Sequence, residues 1–400
     1  MMRLPYMLGL ILGLRLLSAR SLSGFVAWGA VIFAAIFKGG SQHPLRWTLF
    51  GIGRPKMVFS GRGAVDGFAE VERVFRGHFE AGLECGAQCV VYHRGEPVVD
   101  LCGSSTGSAY GPDTLQNVFS STKVIESIVV AMLVDRGLID YEQKISTVWP
   151  EFGCNGKDEL RIVDLLKHES GLSNLDHALP LADLTAARIR QHAVSATIAN
   201  QQARGVGERR YHAVTRGWVV NEIVVRVDPK QRTIGQFVGD EIAMPLGIER
   251  DVYIGLPPSE DPRVSPLKST PLLWTLVQSV VPKILGRQLE LNLLVLIAMR
   301  VFGLWLPKLK RLSKGLPPAP PAFTPSLSPF VASFNEPLTR RAEIPSANGH
   351  ANARAMAKIG AAVSAALNSR CARLRARPCS APLSAWCAVL HCDVLRVQHD

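Results

Sequence analysis

The chain has 400 residues, enough to bury the core of one large domain or of two small ones. Its hydrophobic share of 47% is ordinary for a globular protein, and its net charge is +12. That charge sits beside apolar runs, not interleaved with aromatics on one face, which argues against nucleic-acid binding and for anionic lipid headgroups over a merely solvated basic surface.

The first 65 residues contain no Asp or Glu but carry Arg3, Arg15, Arg20, Lys38, Arg46, Arg54, Lys56 and Arg62. Two apolar runs lie here, 5–17 and 22–37. The second falls slightly short of the ~20 residues that span a bilayer, and Arg20 and Lys38 could snorkel to extend it. Residues 1–62 are therefore expected to form a basic, apolar segment with a membrane anchor at 21–38, giving a single-pass membrane protein. A cleaved secretory signal and a mitochondrial presequence are the alternatives.

The folded part is expected from Gly63. Phe68, Val71, Val74, Phe75 and Phe79 recur at helical spacing. Residues 88–92 and 97–101 then form two short apolar runs around His93-Arg94-Gly95-Glu96, a hairpin pattern with Gly95 in the turn. Val124, Ile125, Ile128, Val129 and Met132 mark one face of a helix that Gly137 ends. A further helix ends around 165–168, and others are predicted over 215–227, 233–243 and 351–367. Residues 272–306 are apolar but interrupted by Pro282, Lys283, Arg287, Glu290 and Arg300. They suit an interfacial stretch or a packed helical insertion better than a clean span. Residues 317–329 are a proline-rich linker.

The eight cysteines include no CxxC pair, so free thiols fit better than a zinc site. No metal and no other cofactor is expected.

Ser120-Ser121-Thr122-Lys123 has a spacing with chemical meaning. Positions i and i+3 share a helix face, which makes the Ser120 hydroxyl and the Lys123 amine neighbours. A serine hydroxyl is a weak nucleophile until a base or a cation activates it, and a partly buried lysine can do either.

With these residues the chain resembles the serine β-lactamase-related family, which includes penicillin-binding-protein-like and carboxylesterase-like members. Residues 86–103 look like its opening hairpin, and Val118-Phe119-Ser120-Ser121-Thr122-Lys123 like its nucleophile helix. Leu165-Leu166-Lys167-His168-Glu169-Ser170-Gly171-Leu172 is similar to its "LLxHxSGL" signature. Tyr211-His212-Ala213 resembles the tyrosine motif of the esterase-like branch, and Pro245-Leu246-Gly247 and Pro345-Ser346-Ala347-Asn348-Gly349 match later landmarks. The resemblance covers roughly residues 63–368.

The resemblance implies an α/β (α+β) fold of the serine β-lactamase/DD-peptidase type, an antiparallel sheet flanked by helices with a helical subdomain. It implies a serine hydrolase working through an acyl-enzyme on a small ester or amide. Ser120 would be the nucleophile, Lys123 its activator, and Tyr211 a base or proton shuttle beside the Lys123 cation. His212 is a candidate substrate-binding residue, and His168 reads as holding a turn. Ala213 departs from the Tyr-x-Asn or Tyr-x-Ser of lactamases, which argues against β-lactam turnover.

The family's third motif, Lys-Thr-Gly or His-x-Gly-like, does not occur after Leu367. Relative to the family the chain reads as C-terminally truncated, with an incomplete sheet and a Cys/Arg-rich tail at 369–400. Loss of an oxyanion-hole donor costs on the order of 10²–10³ in turnover. The alternative expectation is accordingly a non-catalytic, membrane-associated scaffold or pseudoenzyme. Membrane lipid is the expected partner of the N-terminal helix and of 272–314 (within the insertion 272–330). The oligomeric state is not legible.

Overall fold

The computed structural model describes residues 56–80, 84–105, 108–177, 179–267 and 333–375. Its first layer is an antiparallel sheet of β1 (Met57–Ala64), β2 (Gly86–His93) and β3 (Glu96–Ser105), in the order β1-β3-β2. The hairpin is as expected. His93 pairs with Glu96, and Arg94 and Gly95 between them both have positive φ, 54° and 89°. Such a two-residue turn carries the twist of the flanking strands, and glycine takes it without a Cβ penalty. β3 runs down the middle and is buried accordingly, with Val99, Leu101 and Cys102 at 4% exposure or less.

Helix α1 (Ala69–Glu80) follows the predicted period and packs its aromatic stripe on the sheet. Phe79 meets Phe59 of β1 edge to face at 5.3 Å between centroids, a favoured arrangement of the ring quadrupoles. No element had been expected at β1. It exists by pairing with β3 across some forty residues of chain.

The second layer is helical. α2 (Thr122–Asp135) buries Ile125, Val129 and Leu133 completely and packs against α4 (Thr215–Val227) and α5 (Ile234–Val238). Every residue of α4 from Thr215 to Val225 is buried, the burial of a core helix and not of a surface one. The short α3 (Ile162–Leu166) is the helix expected to end at 165–168. α5 starts from a reciprocal cap: Thr233 Oγ1 accepts from Gln236 N–H, and the Gln236 side chain accepts from Thr233 N–H. It continues into a π-helical turn at Gly239–Ala243, so the predicted 233–243 helix is present.

A second small sheet joins distant parts of the chain. β4 (Gln116–Asn117), β5 (Val252–Tyr253) and β6 (His350–Ala351) lie in the order β4-β6-β5, with Asn117 and Tyr253 both opposite His350. This staple sets the 344–351 segment against the start of α2. The last helix, α6 (Ala353–Arg375), begins two residues later and runs further than predicted. It lies across β2, and the Arg354 guanidinium meets the Asp100 carboxylate of β3 at 3.0 Å.

The expected membrane localisation is corrected. Among the described residues no helix is long and apolar enough to cross a membrane. α2, the apolar one, has 14 residues, where a span needs about 20. α6 has 23 but carries Arg354, Lys358, Arg370, Arg373 and Arg375. The anchor at 21–38 and the stretch 272–314 lie outside the described residues, as does the tail beyond 375.

Candidate active site

The site is built where β4 turns into α2. Val118–Ser121 form a tight bend, with Phe119 in the left-handed region at φ 45°. A bulky residue pays for such a backbone with strain, and strain of this kind clusters at functional sites. Three contacts hold it. Asn117 Oδ1 accepts from Phe119 N–H at 2.7 Å, Thr122 Oγ1 donates to Phe119 C=O at 2.5 Å, and the Phe119 ring packs on Phe334 at 5.3 Å. Thr122 Oγ1 also accepts from Gly349 N–H at 2.9 Å. A Cβ on residue 349 would lie 2.7 Å from that same oxygen, so the close approach of the two segments requires glycine.

The bend lifts Ser120 to an exposed position and sinks Lys123, one turn on, to 5% exposure. Lys123 Nζ donates to Ala213 C=O at 2.7 Å and to Ser346 C=O at 2.8 Å, and stands 3.4 Å from Ser120 Oγ. Two hydrogen-bonding directions of the amine are thus taken by carbonyls, and a third faces the serine. The Tyr211 hydroxyl lies 2.5 Å from Ser120 Oγ, and Lys123 Nζ lies 4.8 Å from the centre of the Tyr211 ring. Ser120, Lys123 and Tyr211, predicted from the sequence, therefore meet at one point, although Tyr211 comes from 91 residues away. Tyr211 is 57% exposed, so the site opens on the surface.

The two histidines support this geometry from beneath. His212, the candidate substrate-binding residue, is fully buried. Its Nε2 accepts from Leu172 N–H at 3.2 Å and from the Ser170 hydroxyl at 2.9 Å; Nδ1 therefore carries the proton and donates to Arg210 C=O at 2.5 Å. His168, itself at φ 66°, accepts through Nδ1 from His212 N–H at 3.1 Å and packs its ring 5.0 Å from that of Tyr211. Burial, reinforced by the Arg216 charge, pushes His168 down to about 3, and burial lowers His212 as well. Both rings are neutral at ordinary pH. They fix the Ser170–Leu172 turn and the Tyr211 ring.

Sequence reasoning missed three participants. The carbonyls of Ala213 and Ser346 are main-chain groups with no side-chain signature. Beneath Lys123 lies a fully buried ion pair, Glu126 of α2 with Arg216 of α4, at 2.9 Å. Its sequence signal is a charged residue of opposite sign within the apolar run of each helix, Glu126 in α2 and Arg216 in α4. Among the described residues no cluster of His, Cys, Asp or Glu could hold a metal ion, and Cys85, Cys89, Cys102 and Cys154 are free thiols.

A sequence model of the Beta-lactamase family matches residues 71–378. The esterase/beta-lactamase LipL of Mycobacterium tuberculosis (strain ATCC 25618 / H37Rv) is 34% identical over 199 residues, which is 49% of this chain and 45% of that protein. The chain thus spans less than half the length of that curated relative. Among solved structures, a penicillin-binding protein homolog from Caulobacter crescentus superposes with a TM-score of 0.55 at 32% identity, covering 76% of this chain and 70% of that one. A family VIII carboxylesterase gives a TM-score of 0.56 at 29% identity, with the same coverage of 76% and 70%.

Proposed function

Because the chain belongs to the β-lactamase family, with its α/β fold of helices and small antiparallel sheets, we propose that it is a serine hydrolase acting on a small ester or amide through an acyl-enzyme. The observation that carries this reading is the position of Ser120 Oγ, 2.5 Å from the Tyr211 hydroxyl and 3.4 Å from Lys123 Nζ. Ser120 is the nucleophile. As Oγ attacks the substrate carbonyl carbon, its proton passes to Lys123 or Tyr211, the two groups within reach. A hydroxyl can donate or accept, so Tyr211 can also return a proton to the departing alkoxide or amine. Water then attacks the acyl-enzyme, and the same groups run in reverse.

Esters are favoured over β-lactams. The position two after Tyr211 is alanine, whose methyl group offers substrate no hydrogen bond, and its carbonyl is engaged by Lys123. One structural neighbour is described as a family VIII carboxylesterase, which supports the choice, while LipL is described as both esterase and beta-lactamase.

A fluorophosphonate probe, followed by a p-nitrophenyl ester series, tests the reading. Covalent labelling of the folded chain that vanishes in Ser120→Ala is expected. Absence of labelling, or labelling that survives the substitution, defeats it. Labelling without ester turnover would mark a site whose serine reacts but does not complete the cycle.

A further inference from the structure

Four residues close a ring of hydrogen bonds beneath the nucleophile. Lys123 Nζ donates to the Ser346 carbonyl at 2.8 Å. The Ser346 hydroxyl donates to Glu126 Oε2 at 2.9 Å. Glu126 Oε1 accepts from Arg216 Nε at 2.9 Å. Arg216 then donates through one terminal nitrogen to the Lys123 carbonyl at 3.3 Å and through the other to Leu166 C=O at 3.3 Å. The Glu126 and Arg216 side chains are 0% and 2% exposed.

A buried ion pair is a poor source of stability. Desolvating both charges costs about what their attraction returns, and apolar replacements of similar volume are often neutral or better. What distinguishes this pair is its position. Glu126 lies one helical turn after Lys123, and both of its oxygens are committed to groups that hold the lysine. The Arg216 charge adds to burial in lowering both His168 and His212 below the ordinary imidazole range.

We propose that the Glu126–Arg216 pair is a positioning device for Lys123: it fixes Nζ through Ser346 and the Lys123 main chain, and its balance of charge sets how readily that amine gives up its proton. Among the described residues, charged and titratable groups approach Lys123 from four elements. α2 contributes Glu126, the segment leading into α4 contributes Arg209, Tyr211 and His212, α4 contributes Arg216, and the turn after α3 contributes His168. Arg209 is itself paired with Glu169 at 3.2 Å, and the two histidines are neutral. Among the described residues, Glu126 is the carboxylate paired with the Arg216 guanidinium.

The inference rests on the hydrolase reading for its purpose, but its test does not need turnover. In the full chain with ¹³C-labelled lysine, the Lys123 side-chain resonance, identified by its loss in Lys123→Gln, is followed through a pH titration. Glu126→Gln keeps the shape but leaves Arg216 uncompensated, so Lys123 should titrate lower by on the order of one pKa unit or more. Glu126→Gln/Arg216→Met removes both charges and should bring it back to within about half a unit of wild type. An unmoved lysine in the single variant, or a shift that persists in the double variant, overturns the proposal.

Ser346→Ala keeps both charges and tests the geometric half where a single charge variant fails to fold. Phosphonylation of Ser120 by the fluorophosphonate, with loss of fluoride, should slow by about tenfold while the lysine titration stays in place. Labelling at the wild-type rate overturns that half. A wild-type chain that never labels defeats the hydrolase reading instead, and the lysine titration still decides the inference.

Discussion

Glu343 sits in the segment between Phe334 and the Ser346 carbonyl, buried to 2% exposure. Its Oε1 accepts from the Thr233 hydroxyl at 2.6 Å, and its Oε2 from Asn221 Nδ2 at 2.9 Å and Gly235 N–H at 3.2 Å. These donors are all neutral, and burial outweighs them, pushing the carboxyl from 4.5 up to about 7. Between those values the folded protein keeps a proton that the unfolded chain has released. The resulting stabilisation is complete below pH 4.5 and is lost as pH rises through about 7. At about 1.4 kcal/mol per unit it amounts to on the order of 3 kcal/mol.

Two histidines act in the opposite direction. Burial holds His168 at about 3 and His350 at about 4, both below the ordinary 6.5, so acid favours the unfolded chain, where they can protonate. The raw pH profile of stability therefore mixes the two trends. Urea unfolding of wild type and Glu343→Gln, repeated from pH 5 to pH 8, separates them, because the histidines cancel in the difference. Glutamine has the same size and no proton to lose; its oxygen can accept from Asn221 and Gly235, while its amide nitrogen donates towards Thr233 Oγ1 in place of accepting from it. The variant should gain on wild type by on the order of 2–3 kcal/mol across that range. Parallel curves would refute a neutral buried carboxyl at this position.

Three further outcomes follow from the site. Tyr211→Phe should slow fluorophosphonate labelling by roughly 10²–10⁴ without shifting the unfolding temperature, because the ring is 57% exposed and only its hydroxyl touches Ser120; equal rates would remove Tyr211 from the chemistry. Gly349→Ala puts a methyl 2.7 Å from Thr122 Oγ1 and should cost about 1–3 kcal/mol in urea unfolding together with acylation, whereas full stability would mean that the segment yields easily. His168→Asn keeps an acceptor for His212 N–H and suits the positive φ of 66°, so the acid limb of the acylation profile between pH 5 and 8 should stay where it is; a moved limb would show that His168 titrates there.

The parts of the fold that were legible in the sequence are those with local causes. α1 shows its helical period, the hairpin shows two apolar runs about Arg94-Gly95, and α4 occupies the predicted 215–227. β4, β5 and β6 are illegible for an equally physical reason. Each is two residues long, too short to express a period, and exists because Gln116 and Val252 both find Ala351 from far along the chain. β1 shares that origin, since its partner is β3.

The site divides along the same line. Ser120 and Lys123 are visible because they stand three residues apart, where a helical turn makes neighbours of them, a local relation. Tyr211 was accessible through the family resemblance, and its 2.5 Å approach to Ser120 depends on the packing of α4 against α2. What holds the lysine was invisible, because its partners are the main-chain carbonyls of Ala213 and Ser346, and the ion pair behind them joins two different helices. Yet the same two-residue strands that sequence could not show are what bring Ser346 there. Pairing Asn117 with His350 draws the 344–349 segment onto the first turn of α2, where Gly349 meets Thr122 and the Ser346 carbonyl meets Lys123. The nucleophile motif is thus written locally, but the orientation of its amine depends on a long-range staple. A substitution that loosens β6 should therefore reach Lys123 before it reaches Ser120.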